Sequence, residues 1–292
     1  MRLIALVVLV VAASAGAYVG VPDPRGYHEA VGIPLARKIK AHEDAIQIQN
    51  RIVGGVSAPP NEHPYLAGLI INFWNIAGQS VCGSSLLSSN RLVTAAHCWF
   101  DGKNQGSQFT VVLGTNLLFQ GGLRIPTSHV IMHPQWAPAT LANDVAMIYL
   151  PFPVQFTTTV QPISLPNWQE LGDLFVGNWA TAAGYGFTND QQTGVTLAQS
   201  VSHVNLQVIT EVQCRAVFGP TFILPSTLCT NGAGGVGVCR GDSGGPLFVN
   251  RSGRRVLIGI SSFVADIGCQ LGFPSAFARV TSFYSFIMQH MS

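Results

Sequence analysis

The chain alternates short apolar runs with turns over most of its length. Such runs occupy Leu66–Ile71, Arg91–Thr94, Thr110–Leu113, Val145–Leu150, Val201–Ile209, Pro246–Val249 and Val256–Ser261. Their lengths and β-branched content predict strands, and their spacing predicts an all-β sandwich or barrel. The last segment, Val280–Met291, spaces Phe283, Phe286, Ile287 and His290 as a helix would. Two stretches break the pattern. An apolar run from Leu3 to Ala13 follows Arg2. Residues 18–51 are polar, with His28, Glu29, Lys38, Lys40, Glu43 and Asp44, and show little hydrophobic alternation. No internal repeat is evident.

The first stretch reads as a secretory signal peptide over residues 1–17, since Ala15-Gly16-Ala17 supplies a small-x-small cleavage site before Tyr18. Its run falls short of the roughly 20 residues that span a bilayer. A secreted protein without a membrane segment is therefore expected. The second stretch reads as a propeptide, 18–51, ending at Arg51-Ile52-Val53-Gly54-Gly55. A basic residue before a small apolar tetrapeptide is a plausible processing site.

Composition narrows the partners. Charged residues are only 10% of the 292, with 31 Gly and 17 Pro, and the net charge is +2. Without a basic run, nucleic acid is not an expected partner. Secretion permits disulfides. The six cysteines, Cys82, Cys98, Cys214, Cys229, Cys239 and Cys269, allow 15 pairings, and spacing alone does not choose among them. No Cys-x-x-Cys or clustered Cys/His spacing suggests zinc. No metal or nucleotide motif appears, so no cofactor is expected.

Three motifs carry candidate chemistry. Thr94-Ala95-Ala96-His97-Cys98 places an imidazole at the end of an apolar strand, and Asn143-Asp144-Val145-Ala146 places a carboxylate at the mouth of another. Cys239-Arg240-Gly241-Asp242-Ser243-Gly244-Gly245-Pro246-Leu247 places a hydroxyl in a glycine-rich turn with backbone N–H groups free to approach a carbonyl. Each residue alone is more often structural: a core histidine, a turn aspartate, a turn serine. All three, in the order His, Asp, Ser within a secreted β-rich chain, point to nucleophilic catalysis. A hydroxyl needs a base to attack near neutral pH, and imidazole has a suitable pKa.

From Ile52 to about Phe286 the chain resembles the chymotrypsin-like, trypsin-fold serine proteases. The Ile-Val-Gly-Gly start and the three motifs above are the most specific parts of the likeness. The resemblance implies a protease domain over 52–292. Its fold would be two six-stranded antiparallel β-barrels, about 52–160 and 161–280, with the active site between them and a C-terminal helix. It implies His97 as general base, Asp144 as orienting carboxylate and Ser243 as nucleophile, with the N–H groups of Gly241 and Ser243 as oxyanion hole. It implies the pairings Cys82–Cys98, Cys214–Cys229 and Cys239–Cys269. It further implies activation by a trypsin-like protease cutting after Arg51, which frees the Ile52 amine to pair with Asp242. With no cysteine in 18–51, the propeptide would not stay covalently tethered.

Specificity follows from the same likeness. The pocket base falls at Gly237, where trypsin-like relatives carry an aspartate, and no carboxylate occurs from Asn231 to Arg240. Burying an unpaired cation is costly, so cleavage after Arg or Lys is disfavoured. Ser262, Phe263 and Val264 fall on the strand that pairs with substrate, and Ser275 on the opposite wall. Val264 and Ser275 stand at usual glycines, which favours small or medium apolar P1 residues. The glycine at the base leaves Phe, Tyr or Leu open.

The low disulfide count resembles invertebrate digestive members, and the short propeptide without cysteine-rich modules favours digestion. After Arg51 there are eight arginines and one lysine, Lys103, against nine acidic residues. Arginine keeps its charge at high pH, which suits an alkaline gut lumen. The expectation is a secreted digestive endopeptidase, monomeric, with protein substrates and protein protease inhibitors as partners. A limited-proteolysis factor in immunity or development, and a non-catalytic binding protein of the same fold, are the alternatives. Asn250-Arg251-Ser252 is an N-glycosylation sequon.

Overall fold

The computed structural model describes residues 26–49, 62–187 and 201–291. The expected signal peptide, 1–17, and the expected processing site at Arg51 and Ile52 lie outside the described residues. A π-helical turn, His28–Gly32, leads into helix α1, Ile33–Gln49. Buried positions along it are His28, Gly32, Ile33, Leu35, Ala36, Ile39, His42 and Glu43. That is the three-to-four-residue spacing of one helix face.

Seven strands follow: β1 (Leu66–Phe73), β2 (Ser80–Ser88), β3 (Arg91–Thr94), β4 (Gly106–Leu113), β5 (Leu123–Thr127), β6 (Val130–Met132) and β7 (Ala146–Tyr149). They form one antiparallel sheet in the order β5-β4-β1-β2-β3-β7-β6. The family likeness implies six strands here, and the structure has seven in a sheet that does not close by hydrogen bonding. The reason is local. β5 and β6 are separated only by Ser128 and His129, yet stand at opposite sheet edges. The chain itself bends across the gap, tied by Tyr149 N–H to His129 C=O (3.0 Å) and Thr127 Oγ1 to Tyr149 C=O (2.7 Å).

The second half is a closed six-stranded barrel. Its strands are β8 (Trp179–Gly184), β9 (Ser202–Ile209), β10 (Thr227–Thr230), β11 (Pro246–Arg251), β12 (Arg254–Phe263) and β13 (Ser275–Arg279), in the order β10-β13-β12-β11-β8-β9. Helix α2 (Glu211–Phe218) opens with a capping box between Thr210 and Gln213. A 3₁₀ turn, Val280–Phe283, leads into the terminal helix α3, Tyr284–Gln289.

Strand β12 joins the two cores. Val256 and Ile258 face the inside of the closed barrel with Phe277 and Leu247, whereas Leu257 and Ile260 belong to the first core with Leu92, Val93 and Phe286. Burial on both faces explains its continuous apolar sequence. Disulfides connect Cys82–Cys98, Cys214–Cys229 and Cys239–Cys269, the pairs the family likeness implies. Among the described residues no helix is long and apolar enough to cross a membrane.

Candidate active site

Three loops meet between the two sheets. β3 ends at Thr94, and a single 3₁₀ turn, Ala96–Cys98, carries His97. The Cys98–Cys82 bridge fastens that turn to β2. Asp144 precedes β7 in a strained approach: Leu141 and Asn143 have φ of 55° and 60°, and Val145 N–H donates to Asn143 C=O at 2.8 Å. Left-handed backbone is tolerated best by residues such as Asn. The turn aims the Asp144 carboxylate inward, where it is 1% exposed.

Three donors surround that carboxylate. The His97 backbone N–H reaches Oδ1 at 2.9 Å, and His97 Nδ1 reaches Oδ2 at 2.7 Å. Ser262 Oγ donates to the same Oδ2 at 2.6 Å. An ionised carboxylate only accepts, so the Nδ1 position carries a proton and Nε2 is left as the basic nitrogen. Sequence reasoning places Ser262 with the substrate-binding strand. The structure gives its side chain a second task, locking the carboxylate that orients His97. Ser262→Ala is expected to lower kcat about tenfold with KM little changed, since one charge-assisted hydrogen bond is lost. Steady-state kinetics on a small peptide substrate would read this.

Ser243 sits at the tip of a tight turn. Asp242 N–H donates to Cys239 C=O (3.1 Å) and Gly245 N–H to Asp242 C=O (2.9 Å). Gly241 and Gly244 have φ of +100° and +78°. A Cβ on Gly244 would stand 2.4 Å from the Gly83 carbonyl oxygen, so the turn needs glycine there. Ser243 C=O accepts from Gly83 N–H at 2.7 Å, fixing the turn to β2. Among the described residues, no acceptor engages the N–H of Gly241 or Ser243. Two free N–H groups beside a hydroxyl can receive a developing oxyanion.

Asp242 points the other way. Its Oδ1 accepts from Gly186 N–H (2.8 Å) and its Oδ2 from Cys239 N–H (2.9 Å). Gly184 and Gly186 make room: a Cβ on either would stand within 2.9 Å of the Asp242 carboxyl group. Burial pushes its pKa up to about 6, against the lowering effect of those two N–H bonds. Among the described residues no cation pairs with it. A buried carboxylate in this state calls for a cationic partner.

His97 and Ser243 line one cavity of about 210 Å³, together with Val238, Ser262, Phe263, Val264 and Ala265. Two carboxylates touch it. Asp101 is engaged by the backbone N–H groups of His28, Lys103 and Asn104, and Asp266 is exposed at the rim. Gly237 lines a neighbouring cavity of about 200 Å³, which also borders Asp242. Ser275 stands against it: a Cβ on Gly237 would lie 2.8 Å from Ser275 Oγ, which also accepts from Val238 N–H at 3.2 Å. The structure thus brings His97, Asp144, Ser243, Ser262 and Val264 together and places Gly237, with Ser275 against it, on the neighbouring cavity.

Among the described residues two groupings have metal-ligand residue types. Cys82 and Cys98 near His97 are joined in a disulfide. In the other, His63 Nε2 and His203 Nδ1 hydrogen-bond each other at 3.1 Å, beside Glu62.

The trypsin family model matches residues 52–287. The chain belongs to the trypsin family. It is 36% identical over 242 residues to a collagenase of Hypoderma lineatum, covering 83% of this chain and 88% of that protein. It is 35% identical to brachyurin of Leptuca pugilator, covering 81% and 96%. Serine protease 1 of Drosophila melanogaster is 32% identical, covering 82% and 85%. The solved structure of HL collagenase superposes with a TM-score of 0.72 at 34% identity, covering 82% of this chain and 97% of that one. This trypsin-family chain is a serine endopeptidase, of the chymotrypsin- and elastase-like kind, and its substrates are peptides.

Residues that the motifs do not indicate also enter the site. Gly26, Tyr27, Ala30 and Val31, all preceding the family-matched segment, line the same cavity as His97 and Ser243. The signal was present as the helical spacing of Leu35, Ala36 and Ile39, but the face positions on either side are His28, Gly32, His42 and Glu43, which hide it from a hydrophobicity pattern.

Proposed function

We propose that the chain is a secreted endopeptidase made as a zymogen, activated by cleavage after Arg51, that cuts after apolar P1 residues through an acyl-enzyme in digestion. The grip of Asp144 on His97 beside Ser243 carries the catalytic reading. Ser243 Oγ attacks the scissile carbonyl while His97 Nε2 takes its proton. The oxyanion that forms is received by the N–H groups of Gly241 and Ser243. Collapse breaks the C–N bond as His97 returns the proton to the departing amine. Water, deprotonated by the same nitrogen, then releases the acyl group. Asp144 holds Nδ1 and stabilises the imidazolium that exists between these transfers.

Activation is supported by the state of Asp242, buried with two N–H donors and a raised pKa. The Ile52 ammonium, released by the cut, is the natural counter-charge and would hold the turn bearing Ser243. An apolar P1 preference is supported by the wall of Val238, Phe263, Val264 and Ala265. Ser275 Oγ stands against Gly237 at the neighbouring cavity, and the family likeness, which puts both at the pocket's base and wall, leans the preference toward small and medium side chains. Secretion and a digestive setting, with a gut lumen as the site of action, rest on the N-terminal sequence and the arginine-rich, lysine-poor mature segment.

One experiment tests the whole reading. Activated protein is assayed on peptides differing only at P1 as Ala, Val, Leu, Phe or Arg, beside an Arg51→Gln chain treated identically. Fast cleavage after the apolar residues and no activity from Arg51→Gln are expected. Fastest cleavage after Arg would refute the pocket argument, and full activity from Arg51→Gln would refute the activation scheme.

A further inference from the structure

We propose that the groove beside His97 and Ser243 is a binding site for an amphipathic helical peptide, and that its ligand is the chain's own propeptide. The propeptide helix stays seated after the cut at Arg51 and inhibits the enzyme. The inference rests on the zymogen reading above and adds to it a second lock, steric and separable from the Ile52 amine.

The seating begins over the catalytic residues. The Tyr27 ring lies edge-on against the His97 ring, 4.8 Å between centroids at 65°. Its hydroxyl donates to Val81 C=O at 2.8 Å, the residue next to the Cys82–Cys98 bridge. Burial raises the phenol pKa. One side chain therefore covers the base, lines the same cavity as the nucleophile and occupies a backbone acceptor on the cleft wall. A substrate carbonyl and Tyr27 cannot share that space.

The helix then grips the protease domain at both ends and along its face. Near the start, His28 is 0% exposed, with its N–H on Asp101 at 2.9 Å and its Nδ1 on Ser80 Oγ at 2.9 Å. Glu29 meets Lys103 Nζ at 3.0 Å and Asn104 Nδ2 at 3.2 Å. Further along, the Glu43 carboxylate, 1% exposed, accepts from the N–H groups of Leu118 at 2.6 Å and Phe119 at 2.8 Å. Between them Leu35, Ala36 and Ile39 share a buried apolar cluster with β1, β2, Leu118 and Tyr185.

Leu35 packs against the turn that carries Ser243. An ideal Cβ on Gly241 would stand 2.1 Å from Leu35 Cδ2, so the helix rests directly on the loop whose N–H groups face the oxyanion position. Paired charges, capped backbone donors and a closed apolar face are what a specific interface requires. A segment held only by its covalent link would bury far less. Cutting the link at Arg51 removes the intramolecular advantage but none of these contacts. The outer face of the helix carries Arg37 and Lys40, both exposed. A trypsin-like enzyme cutting there destroys the ligand and completes activation.

The test uses the full chain with an enteropeptidase site placed immediately before Ile52, so that the cut leaves the helix intact. After complete cleavage, wild type and Leu35→Asp are compared at about 1 μM by active-site titration, peptide hydrolysis and size-exclusion chromatography. The expected result is co-elution of the propeptide with the wild-type domain. Hydrolysis should be at least about tenfold slower than in Leu35→Asp, as for an inhibitor bound below micromolar concentration. Brief trypsin treatment should raise the wild type to the variant's level. Equal hydrolysis by the two cleaved chains, with the propeptide eluting free from both, overturns the proposal while leaving the protease reading standing. Absence of a titratable serine in both overturns the protease reading and this one with it.

Discussion

Asp144→Asn is expected to lower kcat about 10⁴-fold while leaving the fold and KM nearly intact. The geometry says why a change of one atom has so large an effect. Asp144 accepts three hydrogen bonds, from His97 N–H, His97 Nδ1 and Ser262 Oγ. An asparagine side chain offers one acceptor oxygen and one NH₂. If its oxygen keeps the backbone N–H of His97, its NH₂ faces Nδ1 and Ser262 Oγ. His97 then turns to the tautomer with the proton on Nε2, the nitrogen that has to receive one from Ser243. The residual rate comes from the oxyanion donors and substrate binding, which the substitution does not touch. A kcat within tenfold of wild type would mean that His97 is not the base. Raising the pH should not rescue the variant, because the fault is in tautomer and charge, not in a titration.

The local chemistry was legible in the sequence because each motif carries its own turn. Gly241 and Gly244 mark positive φ on both sides of Asp242 and Ser243, and Cys98 next to His97 marks a turn stapled to β2. Strands with β-branched runs, such as β1, β4 and β12, were legible for the same reason. β2 was not, because Ser80, Ser84 and Ser85 hold fully buried positions in it. β8 was not, because Trp179–Gly184 is alanine- and glycine-rich. The split of β5 from β6 depends on a bend at two residues of ordinary type. The largest gap concerns α1. Its buried face includes His28, His42 and Glu43, satisfied in part by partners distant in sequence, and no local pattern announces such partners. The placement of Gly237 is also non-local, since it depends on where the Ser275 hydroxyl points.

The second large effect is expected in the stability of the uncleaved chain as a function of pH. Asp242 has a pKa raised from 3.8 to about 6 by burial. In the unfolded chain it ionises near its ordinary value. Below about pH 4 both states hold the proton and burial adds no charge penalty. Between about pH 4 and 6 the folded state keeps a proton that the unfolded state has lost, so stability falls as pH rises. Above about pH 6 both are ionised and the loss stays at its full size, on the order of 3 kcal/mol. For a domain of this length that is roughly 6 to 12 °C in Tm. Asp242→Asn in the same uncleaved chain removes the titration and keeps the side-chain shape, so the difference between the two melting curves isolates the group from every other carboxylate and histidine. The wild-type Tm should fall relative to the variant between pH 4 and 6.5, then run parallel to it. A flat difference would mean that Asp242 already has a cation in the uncleaved chain, and the Ile52 amine would lose its role as the missing partner. After cleavage the Ile52 ammonium should pull the Asp242 pKa down and abolish the decline. That pairing would raise the amine's own pKa, so the stabilisation would hold below about pH 8 and fade as pH climbs through the raised value. If the pair forms as proposed, activity of the cleaved enzyme would fade over that same alkaline range, and a pH–activity profile would show it.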